Sequence, residues 1–101
     1  MRVISLKLLR AFWEKHPDCE EFLRGWYAAA IGAEWSNLQE VRRAYPHADG
    51  VRVGAGTGTL TVFNVCGNKY RLVVRINYRF QLINIRAVLT HVEYDKGKWK
   101  E

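Results

Sequence analysis

Between Thr61 and Leu89 the chain reads as β-rich runs whose successive side chains fall on alternate faces, the spacing of a strand. Gly67-Asn68 interrupts the alternation. A two-residue Gly-X loop fits a type II′ hairpin turn, because glycine accepts the positive φ at its first position. Pairing across this turn sets Phe63 opposite Leu72, Val65 opposite Tyr70 and Thr61 opposite Val74. A second reversal is predicted at Tyr78-Arg79, which sets Leu72 opposite Ile85 and Val74 opposite Ile83. Both registers give one core face: Phe63, Leu72 and Ile85 in a row, with Tyr70, Val74, Ile76, Ile83 and Ala87 around them. The other face carries Asn64, Arg71 and Arg86 in a row across three strands, with Lys69 and Arg75 on the same side. Two arginines directly opposite each other repel. Their pairing points to an anion held between them, a phosphate or a carboxylate. The plainer alternative is that these long side chains splay into solvent.

Ahead of this stretch the period changes to that of helices. Ser5 reads as the N-cap of LKLLRAFWEKH, in which Leu6, Leu9, Phe12 and Trp13 share a side. Pro17 stops that helix. Asp18 then reads as the cap of a second, with Glu21 completing a capping box. Its apolar stripe is Phe22, Trp26, Ala29 and Ala30, widened by Leu23 and Tyr27. Trp13, Trp26 and Trp35 are read as packing residues rather than base-stacking platforms. Ser36, with Gln39 at the box position, predicts a third, short helix ended by Tyr45-Pro46. Met1 to Ile4 is an edge strand or a lead-in. A connection rich in glycine follows from His47 to Gly58, with a short strand at Val51–Val53. Its glycines do not make a phosphate-binding loop, since no Lys-Ser/Thr follows and strands rather than a helix come next. After Leu89, Thr90 and Glu93 form a capping box for a last helical turn that Gly97 ends. His91 takes its first position, and Tyr94 shares its face. The fold class expected is α+β, with N-terminal helices packed on a small, mainly antiparallel sheet and a short C-terminal helical turn, all in one domain over 1–101.

Charge adds a direction to this picture. The chain carries a net charge of +6. Residues 1–45 hold seven basic and six acidic side chains, and residues 46–101 hold nine and four. The positive field therefore sits on the hairpins and tail, including Lys96, Lys98 and Lys100, and favours a nucleic acid or an acidic protein as partner. Cys19 and Cys66 are the only cysteines. With no CxxC spacing and no histidine cluster they do not read as a zinc site, and two reduced thiols are expected. No apolar run has membrane-spanning length and no signal-peptide pattern opens the chain, so a cytoplasmic location without membrane partners is expected.

The candidate chemistry lies at the end of the sheet. His91 can exchange a proton near neutral pH. Tyr94 can donate a hydrogen bond. Arg71, Arg86 and Lys69 can hold a phosphate and offset the charge of a pentavalent transition state. This set suits metal-free RNA cleavage, in which the 2′-hydroxyl attacks the adjacent phosphate. Asp95 and Glu93 do not make the carboxylate cluster that magnesium needs, and no cofactor or metal is expected. His16 and His47 receive no role. A non-catalytic module that holds RNA or an acidic protein on the basic face is the alternative.

FNVCGNKYRLVVRI followed by INIRAVLTHVEYDKG resembles the HigB toxins of bacterial type II toxin–antitoxin systems, in the RelE-like superfamily of mRNA interferases. KLLRAFWEKHPDCEEFLRGWY resembles their paired helices, so the likeness covers nearly the whole chain. Leu89 stands where many relatives have glycine before Thr-His, and Cys66 replaces a blander residue. The resemblance implies a RelE-like domain and metal-independent endonucleolytic cleavage of mRNA on the translating ribosome. It also implies neutralisation by a helix-turn-helix antitoxin of the HigA type. The catalytic residues expected are His91, Arg71, Lys69 and Tyr94. The RNA-binding residues expected are Asn68, Arg86, Arg75, Asn64, Asp95 and Lys96. A degenerate toxin that only sequesters an antitoxin is disfavoured, because the basic row and His91 are all present.

Overall fold

The computed structural model describes residues 1–53 and 58–100. The expected glycine-rich loop reaches into 54–57, outside the described residues. The fold is α+β. Its five-stranded sheet has the order β1-β5-β4-β3-β2, built from β1 Arg2–Ile4, β2 Asp49–Arg52, β3 Thr59–Val65, β4 Tyr70–Asn77 and β5 Leu82–Thr90. All neighbours are antiparallel except β1, which runs parallel to β5 as an edge strand. Helices α1 Lys7–Lys15, α2 Glu20–Gly32 and α3 Leu38–Ala44 precede the long strands, and α4 His91–Lys96 follows them.

The first hairpin has the predicted register. Thr61 pairs with Val74, Phe63 with Leu72, Asn64 with Arg71 and Val65 with Tyr70. Gly67 has φ 69, the positive value that the turn demands and that glycine adopts without strain. The second hairpin differs from the prediction. Asn77 pairs with Leu82 across a four-residue turn, Tyr78 to Gln81, not a two-residue one. The Asn77 side chain accepts the Phe80 N–H, and Gln81 takes φ 54 while its amide donates to the Tyr78 and Trp35 carbonyls. A β-bulge then falls where Val73/Val74 meets Ile85–Ala87. The longer turn and the bulge displace β5 against β4. Leu72 therefore faces Val88 and Val74 faces Ile85, and Arg71 faces Leu89 rather than Arg86. The predicted arginine row does not form, and Arg71 and Arg86 do not face each other across the strands.

Two apolar clusters hold the sheet. On one face, Phe63, Val65, Leu72, Val74, Ile83 and Ile85 pack under Leu9 and Trp13 of α1, Leu23, Trp26 and Ala30 of α2 and Val41 of α3. Trp13, Trp26 and Trp35 are buried there, as expected. Leu72 is fully buried at the centre, where truncation to alanine would cost about 3 kcal/mol. On the opposite face, Val53, Leu60, Val62 and Val73 form a second cluster, with Ala87, Leu89, Tyr94 and Trp99 against it. This face was predicted to be polar, and Ala87 was predicted to lie on the first. The bulge reverses the alternation along β5, so Ala87 turns to the second cluster.

Of the four predicted N-caps, only that of α4 is found. Ser5 adopts φ 70 and leaves the N-cap of α1 to Leu6, whose side chain makes no cap bond. Asp18 does not cap α2, because its carboxylate is engaged across the fold. Asn37, not Ser36, caps α3 by accepting the Glu40 N–H, while Glu40 returns a carboxylate oxygen to the Ser36 N–H at 2.7 Å. At α4 the predicted Thr90–Glu93 capping box is complete, and Gly97 ends the helix at φ 75. Among the described residues no helix is long and apolar enough to cross a membrane.

Candidate active site

The capping box places His91 at a defined point. Thr90 Oγ1 accepts the Glu93 N–H at 3.2 Å, and Glu93 Oε1 accepts the Thr90 N–H at 3.0 Å. The bond from the Thr90 N–H, helped by the Thr90 hydroxyl and the charges of His16 and Lys96, holds the Glu93 carboxyl below its ordinary range against the opposing effect of burial. The His91 N–H donates to the Lys69 carbonyl at 3.1 Å, tying the start of α4 to the tip of the β3–β4 hairpin. One turn on, Asp95 Oδ2 lies 3.0 Å from His91 Nδ1, and both side chains remain at least half exposed. With Nδ1 facing a carboxylate, Nε2 is the nitrogen left to meet a substrate.

Arg71 and Tyr94 stand beside this pair. Arg71 Nη1 donates to the Asn68 and Tyr70 carbonyls at 3.1 and 3.0 Å. Its guanidinium lies 5.4 Å from the centre of the Tyr94 ring. Tyr94 is also held by Trp99, whose ring stacks on it at 4.9 Å and whose indole N–H donates to the Tyr94 carbonyl. Burial pushes the Tyr94 hydroxyl above its ordinary value of 10.0, and Arg71 opposes that shift. Tyr94 is therefore a protonated phenol at neutral pH, able to give a proton but not to accept one.

The other expected site residues divide into those gathered here and those set apart. Asn68 is at the hairpin tip, with its side-chain oxygen 3.5 Å from the Asn64 amide nitrogen. Lys96 is exposed at the end of α4. Lys69 turns away to the helical side, where Nζ lies 2.7 Å from Asp18 Oδ2. Arg75 shares a face with Arg71 but sits four residues along β4, about 14 Å away, beside Gly58. Arg86 is exposed at the bulge and lines a groove against α1.

One constellation escaped the sequence reading. The Tyr70 hydroxyl lies 2.9 and 3.1 Å from the two Asp18 carboxylate oxygens and 3.4 Å from His16 Nδ1. Cys66 Sγ donates to the Asp18 carbonyl. The Lys69 ammonium and the Tyr70 hydroxyl hold the Asp18 carboxyl below its ordinary range, and the same carboxylate holds Lys69 above its own. No signal in the sequence marked this contact of His16, since Tyr70 lies over fifty residues away. Cys19 and Cys66 are free thiols, and burial raises Cys19 to about 11.

The sequence profile of the HigB toxins, described as the RelE-like toxic component of a toxin–antitoxin system, matches residues 19–97. The chain belongs to the HigB toxin family. Its relatives include an mRNA interferase HigB of Escherichia coli O6:H1, 26% identical over 96 residues, which span 95% of this chain and 90% of that protein. An mRNA interferase toxin HigB of Escherichia coli (strain K12) is 28% identical over 95 residues, 94% of this chain and 88% of the relative. An mRNA interferase HigB of Shigella flexneri shows the same identity and coverage. The matched span holds the hairpin tip, Arg71, Arg86 and all of α4, so the residues gathered around His91 lie inside the family's own region. His16 and the first helix lie outside it.

Proposed function

We propose that this HigB-family toxin is an endoribonuclease that cuts mRNA on the translating ribosome without a metal ion. The observation that carries the reading is the His91–Asp95 pair, seated on the Lys69 carbonyl beside Arg71 and Tyr94. The reaction forms a bond from the 2′-oxygen to phosphorus and breaks the bond from phosphorus to the 5′-oxygen. One proton leaves the 2′-hydroxyl and one reaches the departing 5′-oxygen. His91 Nε2 suits the first transfer, with Asp95 steadying the imidazolium that forms. Tyr94, held protonated, suits the second. Arg71, displaced toward substrate from its hairpin carbonyls, offsets the added negative charge on the phosphorane. Asn68 and Asn64 present amides to the strand, and Lys96 and Arg86 extend the positive field along it. Lys69 supports the site chiefly through its backbone carbonyl and its bond to Asp18. The names of the relatives support mRNA as substrate. Membership of a toxin–antitoxin family supports a dedicated antitoxin, which we take to be a helix-turn-helix protein of the HigA type.

The test is induced expression in a host cell, with and without the adjoining antitoxin gene, and mapping of mRNA 5′ ends. New ends inside translated codons, with growth arrest relieved by the antitoxin, are expected. Intact messages in arrested cells would point instead to a non-catalytic module that binds through the basic face.

A further inference from the structure

A groove of about 560 Å³ runs between α1 and the outer edge of β5. β1 pairs with β5 only from Leu82 to Asn84, and residues of α1 line the groove beside Arg86 to Thr90 of that strand. Leu8 contributes apolar lining. Phe12 and His16, one turn apart on the same helix face, stack with ring centres 4.4 Å apart and planes 28° apart. Exposed Lys15 and Arg86 also line the groove, and neither makes an ion pair among the described residues. Glu93 is its acidic member, and one of its oxygens is already held by the Thr90 N–H. Thr90 lines the groove and His91 follows it directly, so the groove adjoins the candidate active site through the first turn of α4. Tyr70 braces it from behind, edge-on to Phe12 at 5.1 Å and bonded to Asp18.

We infer that this groove is a nucleotide subsite, taking the base of an RNA residue near the cut against the Phe12–His16 stack and its phosphates on Lys15 and Arg86. The inference rests on the ribonuclease reading above and extends it to residues of α1, ahead of the span that the family profile matches. The volume is that of a small-molecule cleft. A ring platform beside unpaired cations is the combination that binds single-stranded nucleic acid. An acidic peptide would satisfy the cations but would leave the ring faces unused.

The experiment titrates the protein with a fluorescent single-stranded RNA whose 2′-hydroxyls are methylated, so that it binds without being cut, at several salt concentrations. Lys15→Glu/Arg86→Glu is expected to bind at least tenfold more weakly, with a salt slope shallower by about 1.4, as for two phosphates on a single strand. Phe12→Leu, which keeps apolar volume and drops the ring, is expected to lose roughly fivefold or more in affinity at unchanged slope. Thermal melts confirm that each variant is folded. Unchanged RNA affinity in the folded variants overturns the subsite. So does loss of antitoxin binding with RNA binding retained, which would make the groove a protein-docking site. If the wild-type protein fails to hold the RNA yet cuts messages in cells, the subsite falls and the ribonuclease stands. If it does neither, both fall.

Discussion

Asp18 shows how much one side chain contributes beyond its helix. Its carboxylate gathers the Lys69 ammonium and the Tyr70 hydroxyl, linking the turn before α2 to the hairpin tip that carries Asn68 and Arg71. Those donors depress its pKa below the ordinary 3.8. A depressed carboxyl adds stability above its unfolded pKa, and that contribution is lost as pH falls through the folded pKa. The urea midpoint of the wild-type protein is therefore expected to drop as pH falls below about 4. The drop should be shallower in Asp18→Asn; an equal drop in both would remove Asp18 from the account. Asp95→Asn tests the other carboxylate. It is expected to leave the melt unchanged and to lower cleavage by roughly tenfold or more, because the imidazolium loses its counter-charge. Thr90 and Asp18 had the same signature in the sequence, a capping residue with glutamate three positions on. Thr90 could be read because its partner is local. Asp18 could not, because its partners arrive from about fifty residues away.

At the scale of elements, α4 is the piece whose position matters most, and it is held at two points. The capping box fixes its start, and Trp99 fixes its far side through Tyr94. Thr90→Ala is expected to cost about 1 kcal/mol through the lost cap, measured by denaturant melts. Trp99→Ala removes the half-buried ring that covers Tyr94 and the second cluster. It is expected to cost about 1–2 kcal/mol and also to slow cleavage by freeing Tyr94. A variant that melts lower but cuts at the full rate would separate Trp99 from the site. The first hairpin was legible because Gly67 marks its turn. The second was not, because Tyr78 to Gln81 holds no glycine or proline and its turn rests on the Asn77 and Gln81 side chains. The bulge at Arg86 leaves no mark on the alternation either, since the residues on both sides of it are apolar. The second cluster was missed for a related reason: Leu60, Val62 and Val73 were visible as strand residues, but their cover comes from a tail read only as basic.

Across the whole molecule, charge and shape are segregated. Helices α1 to α3 cover one face of the sheet, and the positive excess lies on the strands and tail, +5 over residues 46–101 against +1 before them. An antitoxin that docks acidic groups on the same cations would compete with RNA for them. Arg71→Ala/Arg86→Ala is then expected to weaken antitoxin binding and flatten its dependence on salt. Equal affinity and equal slope would place the antitoxin on the helical side. The α+β class was legible in the change of hydrophobic period near Thr61, and the family in the hairpin and Thr-His-Val-Glu-Tyr-Asp segments. What needed the structure was the distribution of the basic residues. Arg71, Arg86, Lys69 and Arg75 are not one row but four positions with different neighbours.

The most direct measurement is the mapping of mRNA 5′ ends in cells expressing equal amounts of folded wild-type protein and His91→Ala. Cuts within codons are expected to fall by about 10²–10⁴ in the variant, the range of general acid–base catalysis, while its melting temperature and antitoxin binding stay unchanged. Cuts at the wild-type frequency in His91→Ala would contradict it, and the chemistry would have to be sought away from α4.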